Sequence, residues 1–235
     1  MERFLMDMTW LGCMVGAYLL GSIPFGVLIG RARGIDIREH GSRNIGATNV
    51  GRVLGRRYGL LCFILDMAKG AIPVLVAGSM LDTLGHTTLE SGAGQLWLWM
   101  LVALAALAGH MFSPFLRFGG GKGVATAFGG LVAMWPILTI PALVALGAWI
   151  LVVMSTRVVS IASMAAALIM PIATLIMMLL TGGRNDPQPA MLDILASGSA
   201  PLLTTVGIAG LVLWRHRSNI RRLLRGEEHV IKSKG

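Results

Sequence analysis

Long runs free of charge dominate the chain, and their lengths predict its elements. Residues 8–30, 91–116, 123–156, 158–183 and 194–214 contain no Asp, Glu, Lys or Arg, and 70–81 is part of another such run. One helical crossing of a bilayer needs roughly 20 apolar residues. The run at 70–81 reaches that length only if its helix starts near Tyr58, which places Asp66 and Lys69 inside the span. The stretch 123–156 is too long for one crossing, and Pro136 and Pro141 stand where a turn would divide it. The pattern predicts an all-α integral membrane protein with about seven transmembrane helices, the fourth and fifth short. These form a single polytopic membrane domain over 1–235.

Composition agrees with the pattern. The chain of 235 residues is 55% hydrophobic and only 13% charged, with a mean hydropathy of +0.74, whereas soluble domains carry roughly a quarter charged residues. A soluble enzyme, a nucleic-acid-binding module and a disordered linker are excluded. The net charge of +9 is therefore read by position. Segments 31–57 and 215–235 each hold seven basic and two acidic residues, and with Arg117, Lys122 and Arg157 they collect 17 of the 20 basic residues. The remaining connections carry Glu2, Asp7, Asp82, Glu90, Asp186 and Asp193 against Arg3 and Arg184. The positive-inside rule puts the N-terminus outside and the C-terminus in the cytoplasm, provided 123–156 crosses twice. Cys13 and Cys62 lie in apolar runs and read as small lipid- or core-facing residues. The charge-balanced start predicts a retained first helix rather than a cleaved signal peptide.

Three cytoplasmic segments follow: 31–57, 109–123 and 215–235. The first packs Ser42, Asn44, Thr48 and Asn49 among Gly41 and Gly46, with Arg52 near a helix start. Both a phosphate-sized anion pocket and a polar turn with topological arginines fit it. In the second, Gly119, Gly120 and Gly121 lead into Lys122 and the start of an apolar helix. That arrangement suits a phosphate, or a flexible turn, but it is not the nucleotide P-loop, because Leu116 and Gly123 stand at two of its defining positions. His110 fits a ligand contact or an interfacial cap. The third segment reads as a basic amphipathic helix with Ile220, Leu223 and Leu224 as its apolar stripe. There His216 and Asn219 share one face, while Arg217, Arg221, Arg222 and Arg225 suit a membrane-surface anchor. Inside the second span, Asp66 and Lys69 at i,i+3 read as a structural ion pair.

The ordered residues Gly41-Ser42-x-Asn44-x-Gly46-Ala47-Thr48-Asn49-x-x-Arg52, Gly109-His110 with Gly120-Gly121-Lys122-Gly123, and His216-x-x-Asn219 with Gly226-x-Glu228 resemble three motifs. They are those of the bacterial membrane-integral acyl-phosphate:glycerol-3-phosphate acyltransferases. Gly21-Ser22-Ile23-Pro24-Phe25-Gly26 and Asp66-x-x-Lys69-Gly70 match as well. The resemblance implies a seven-helix fold in the bacterial inner membrane with a cytoplasmic active site. The implied reaction moves a fatty acyl group from acyl-phosphate to the sn-1 hydroxyl of glycerol 3-phosphate, giving lysophosphatidic acid and phosphate. It further implies Ser42, Arg52, His216 and Asn219 as catalytic residues. Asn44, Thr48, Asn49, His110, Gly119, Gly120, Gly121 and Lys122 would bind substrate, and Glu228, Asp66 and Lys69 would be structural. No metal, cofactor or nucleic acid is expected; the implied partners are the two substrates, membrane lipid and an acyl-phosphate-producing enzyme.

Two positions depart from the family pattern. Arg43 stands where glycine is usual, a costly exchange if the backbone there needs a positive φ, and Glu227 replaces a small polar residue. An acyl-phosphate is already activated, so positioning and electrostatic stabilisation suffice for direct attack. A Ser42 acyl-enzyme lacks a nearby histidine–carboxylate arrangement in the sequence. The main alternative is a membrane transporter for an organic phosphate. The His-x-x-x-x-Asp motif of other acyltransferases is absent, with Ile45, Ser91, Phe115, Arg221 and Lys234 at the fifth position after each histidine.

Overall fold

The computed structural model describes residues 2–88, 90–182, 196 and 198–231. Arg184, Asp186 and Asp193, used above for sidedness, and Lys232 and Lys234 of the tail lie outside the described residues. Ten α-helices are described: α1 (Glu2–Gly21), α2 (Phe25–Ala32), α3 (Ala47–Leu54), α4 (Arg56–Met80), α5 (Ala93–Met111), α6 (Val124–Val132), α7 (Thr139–Thr156), α8 (Val159–Gly182), α9 (Ser199–Arg215) and α10 (Arg217–Leu224). A 3₁₀ turn covers Pro114–Leu116. Five segments are long and apolar enough to cross a membrane: Met6–Ala32, Arg56–Met80, Ala93–Met111, Thr139–Thr156 and Val159–Thr181. Ser199–Arg215 is a shorter apolar helix.

The helices gather into two compact units. The first comprises Met1–Leu84 with Leu98–Met134, and the second Gly85–Trp97 with Trp135–Gly235. In the first, α4 packs against α1, α3 and α6. Gly70 of α4 lies against the Thr126 carbonyl and Gly129 of α6 against the Met67 carbonyl, where any Cβ would collide with backbone. Small residues thus bring the two helices into close contact, the usual device where no hydrophobic effect drives association. Trp10, Val50, Val74, Trp99 and Leu107 are buried here, and the Trp99 indole donates to the Val74 carbonyl (2.9 Å). In the second unit α8 packs on α7 and α9, and Trp149 Nε1 donates to Ser163 Oγ (3.2 Å).

Two elements differ from the uncharged runs. The run 8–30 is broken at Ser22–Pro24, because Pro24 has no N–H to continue the ladder and excludes helical geometry just before it. The long run divides at 133–138, as Pro136 suggests, whereas Pro141 lies within the first turn of α7. Its first piece, α6, has nine residues, roughly 13 Å at 1.5 Å per residue, and so is far shorter than a bilayer core.

Candidate active site

The first polar segment is held by one side chain. Asn49, in α3, is buried, and its Oδ1 accepts the Ser42 N–H (2.7 Å). Its Nδ2 faces the carbonyls of Ile37 (3.2 Å), His40 (3.0 Å) and Asn44 (2.9 Å). Asn44 Oδ1 accepts the Gly46 N–H (2.9 Å) and closes the turn that starts α3. Both asparagines, expected as substrate contacts, thus direct their amides into the loop itself. The same loop rests on a cluster of Val27, Ile37, Ile45, Val50 and Cys62. Ser42 is half-buried, while Thr48 and Arg52 are exposed. Arg52 sits in the last turn of α3, because the helix starts five residues earlier than the expected start near it. Arg43 has φ +58°, so an arginine occupies the left-handed conformation for which glycine is the natural residue.

The break in α1 links this region to the rest of the first unit. With the helix interrupted, the Ser22 carbonyl needs a donor from elsewhere, and that of Ile23 takes the nearby Phe25 N–H (3.1 Å) together with a distant one. Ser113 Oγ donates to the Ser22 carbonyl (2.7 Å), and Lys69 Nζ donates to that of Ile23 (2.8 Å). Lys69 also pairs with Asp66 Oδ1 at 2.8 Å, both side chains being almost fully buried. His110 Nδ1 lies 3.7 Å from the same Asp66 oxygen, and the Cys62 thiol donates to Asp66 Oδ2 (3.6 Å). The expected ion pair is therefore one part of a buried polar cluster that joins α4, the α1 break and the end of α5. Tyr18 adds a second tie, its hydroxyl donating to the Phe112 carbonyl (3.0 Å).

The glycine segment is tied to the chain around it. The Gly119 N–H donates to the Leu116 carbonyl (3.0 Å) and that of Gly121 to the His110 carbonyl (3.2 Å). Both amides, expected to cradle phosphate, are thus engaged by the loop. A Cβ on Gly121 would drive into the His110 imidazole, and one on Gly120 into the His110 and Met111 carbonyls. These glycines let the loop lie directly on the end of α5. A bridge between Ser113 and Gly119 closes the preceding turn. Lys122 follows, half-buried, just before α6 begins.

His216, Asn219 and Glu228 belong to the second unit. His216 caps α10 and is buried, with Nδ1 2.7 Å from the Val212 carbonyl. A carbonyl only accepts, so Nδ1 carries the proton, and in the neutral ring Nε2 is the acceptor. Asn219 is buried on the same face, and its Nδ2 donates to Glu228 Oε1 (2.6 Å). Ser160 Oγ donates to the same oxygen (2.9 Å), and Arg222 Nε to Oε2 (2.8 Å). Burial pushes the Glu228 carboxyl up, but these three donors outweigh it and hold it below the ordinary range. Arg222 is accordingly part of the clamp and not of the outward-facing arginine row. Sequence reasoning missed Ser113 and Ser160 because nothing local marks their distant partners, and it placed Arg222 in the anchor row although Glu228 lies six residues on.

Comparison with known proteins places the chain. The glycerol-3-phosphate acyltransferase family profile matches residues 11–226. The glycerol-3-phosphate acyltransferase of Geotalea daltonii is 41% identical over 219 residues, covering 93% of this chain and 96% of that one. That of Aquifex aeolicus is 38% identical over 218 residues, covering 92% and 96%. A crystal structure of PlsY (YgiH), an integral membrane glycerol 3-phosphate acyltransferase, in its glycerol 3-phosphate form is similar with a TM-score of 0.74. It is 37% identical, over 95% of this chain and 96% of that one. The lysophosphatidic acid form gives a TM-score of 0.72, also at 37% identity over 95% of each chain. With a match over nearly its whole length, and with apolar helices that make it a multi-pass membrane protein, the chain belongs to the glycerol-3-phosphate acyltransferase family.

Proposed function

We propose that the acyl donor is acyl-phosphate and the acceptor the sn-1 hydroxyl of glycerol 3-phosphate. The products are then lysophosphatidic acid and inorganic phosphate. The observation that carries the donor is the order of the three motifs, Ser42 to Arg52, His110 to Gly123 and His216 to Glu228, within a family match over residues 11–226. Both substrates present a phosphate, and the first unit offers Arg52 and Lys122 on segments whose backbones are fixed from below. Arg52 follows the Asn49 clamp within the same short helix, and Lys122 ends a loop seated on His110. The cationic groups stabilise the departing phosphate and hold the acceptor, and Ser42 and Thr48 add hydroxyls beside them. In the second unit His216, with its proton on Nδ1, and Asn219 on the same face are the catalytic pair. Asn44 and Asn49 position the first loop, Gly119, Gly120 and Gly121 position the second, and Asp66, Lys69 and Glu228 are structural. Attack is direct, the acyl carbon passing from phosphate oxygen to glycerol oxygen while the hydroxyl proton goes to a phosphate oxygen of a substrate or to His216.

The enzyme works in the bacterial inner membrane as a single polytopic domain with seven crossings. Its N-terminus is outside and its active site cytoplasmic, where an acyl-phosphate-producing enzyme supplies the donor. The test is an assay of purified protein with glycerol 3-phosphate and, in turn, acyl-phosphate, acyl-CoA and acyl-carrier protein. Lysophosphatidic acid from acyl-phosphate alone is the expected result; equal turnover of either thioester overturns the donor assignment.

A further inference from the structure

The short helix α10 has two faces with different chemistry. Its inner side carries Asn219 and, through Arg222, the Glu228 clamp, with His216 as its cap. Its outer side carries Arg217, Arg221 and Arg225, all exposed and spaced i,i+4, with Ile220 and Leu224 between them. Leu224 is 84% exposed. Residues 215–226 contain five arginines and no carboxylate. Like charges at i,i+4 destabilise an isolated helix, so the outer row lacks an opposing charge on its own element.

Position supplies the occupant. The helix follows directly on the apolar α9, and Trp214 at the junction is half-exposed. The Arg217 guanidinium lies 4.8 Å from the Trp214 ring centroid, and that of Arg215 5.6 Å. An aromatic ring flanked by arginines at the end of an apolar helix is the signature of the headgroup layer. A basic helix with aliphatic side chains among its cations lies along that layer. We infer that the outer face of α10 docks on an anionic bilayer surface, arginines on lipid phosphates and Ile220 and Leu224 in the acyl boundary. Because His216 and Asn219 ride on the inner side of the same turns, docking also fixes their setting. That second step rests on the roles proposed for these two residues, whereas the docking itself does not.

The deciding experiment measures hydrogen–deuterium exchange of the 217–226 amides, with the full chain in nanodiscs. One set contains phosphatidylcholine alone, and the other phosphatidylcholine mixed with phosphatidylglycerol. Exchange is expected to slow in the anionic discs by about fivefold for each guanidinium engaged, and high salt reverses the effect. Arg221→Glu with Arg225→Glu should abolish the slowing; if that protein does not fold, Arg217→Gln, Arg221→Gln and Arg225→Gln together provide the same comparison. Equal exchange in the two bilayers, or slowing that survives either set of substitutions, overturns the proposal. Turnover measured on the same discs tests the coupling separately. Slowed exchange with unchanged turnover keeps the docking surface and removes its link to His216 and Asn219.

Discussion

Arg43 shows how much a single residue's conformation carries. Its φ of +58° costs a side-chain-bearing residue roughly 1–2 kcal/mol, and glycine would give back about 0.5–1 kcal/mol of that through its freer unfolded chain. Arg43→Gly is therefore expected to stabilise the protein by a few tenths to about 1 kcal/mol, raising the thermal midpoint in detergent without loss of turnover. A lowered midpoint would mean that the guanidinium makes a contact worth more than the strain. The sequence made this position suspect, because an arginine in place of the family's glycine poses the question of φ. The role of Asn49 was not legible in the same way. A buried amide clamping four backbone groups and an exposed amide reaching for phosphate are written with the same letter, and only burial separates them. The glycines at 119–121 carry the same ambiguity: composition says that something approaches the backbone closely, not that it is the His110 ring.

At the scale of elements, local pairs were readable and distant ones were not. Asp66 and Lys69 are three residues apart on one helix, so their ion pair follows from the helical repeat. The carbonyl of Ile23 lies 46 residues from Lys69, and that of Ser22 91 residues from Ser113, distances over which a pattern of letters says nothing. Removing Lys69 alone leaves Asp66 charged inside the span, and Lys69→Met should destabilise by about 3–5 kcal/mol. Asp66→Asn with Lys69→Met should recover most of this, leaving roughly 1 kcal/mol for the lost bond to Ile23. Unfolding in mixed micelles measures both, and a double variant as unstable as the single one would refute an ion-pair origin. The Glu228 clamp makes a pH-dependent prediction. A carboxyl held below its unfolded value of about 4.3 stabilises fully above that pH, and the contribution is lost as pH falls through the folded value. Acidification should thus lower the midpoint and loosen α10, and Glu228→Gln should flatten that acid limb. Identical acid profiles for the two proteins would assign the limb to other groups.

For the molecule as a whole, the scarce charges carry the predicted topology. Charge-free runs identified the membrane class and most crossing segments, because burying an ionised group in hydrocarbon is costly enough to leave gaps in the sequence. They did not reveal the break at Ser22–Pro24, since an interrupted helix and a continuous one can be equally apolar. The strongest whole-chain prediction is the orientation, since it depends on 123–156 crossing twice. A helix as short as α6 reaches across a bilayer only if 117–138 contributes non-helical backbone shielded by protein. If 123–156 crossed once, the seven basic residues of 215–235 would face outward, against the positive-inside rule. Fusion of green fluorescent protein to the C-terminus should therefore fluoresce, and alkaline phosphatase fused there should stay inactive. A phosphatase joined after Asp82 should be active, and one joined after Arg117 inactive. An active C-terminal phosphatase would put 215–235 outside and overturn both the double crossing of 123–156 and the cytoplasmic roles proposed for His216 and Asn219.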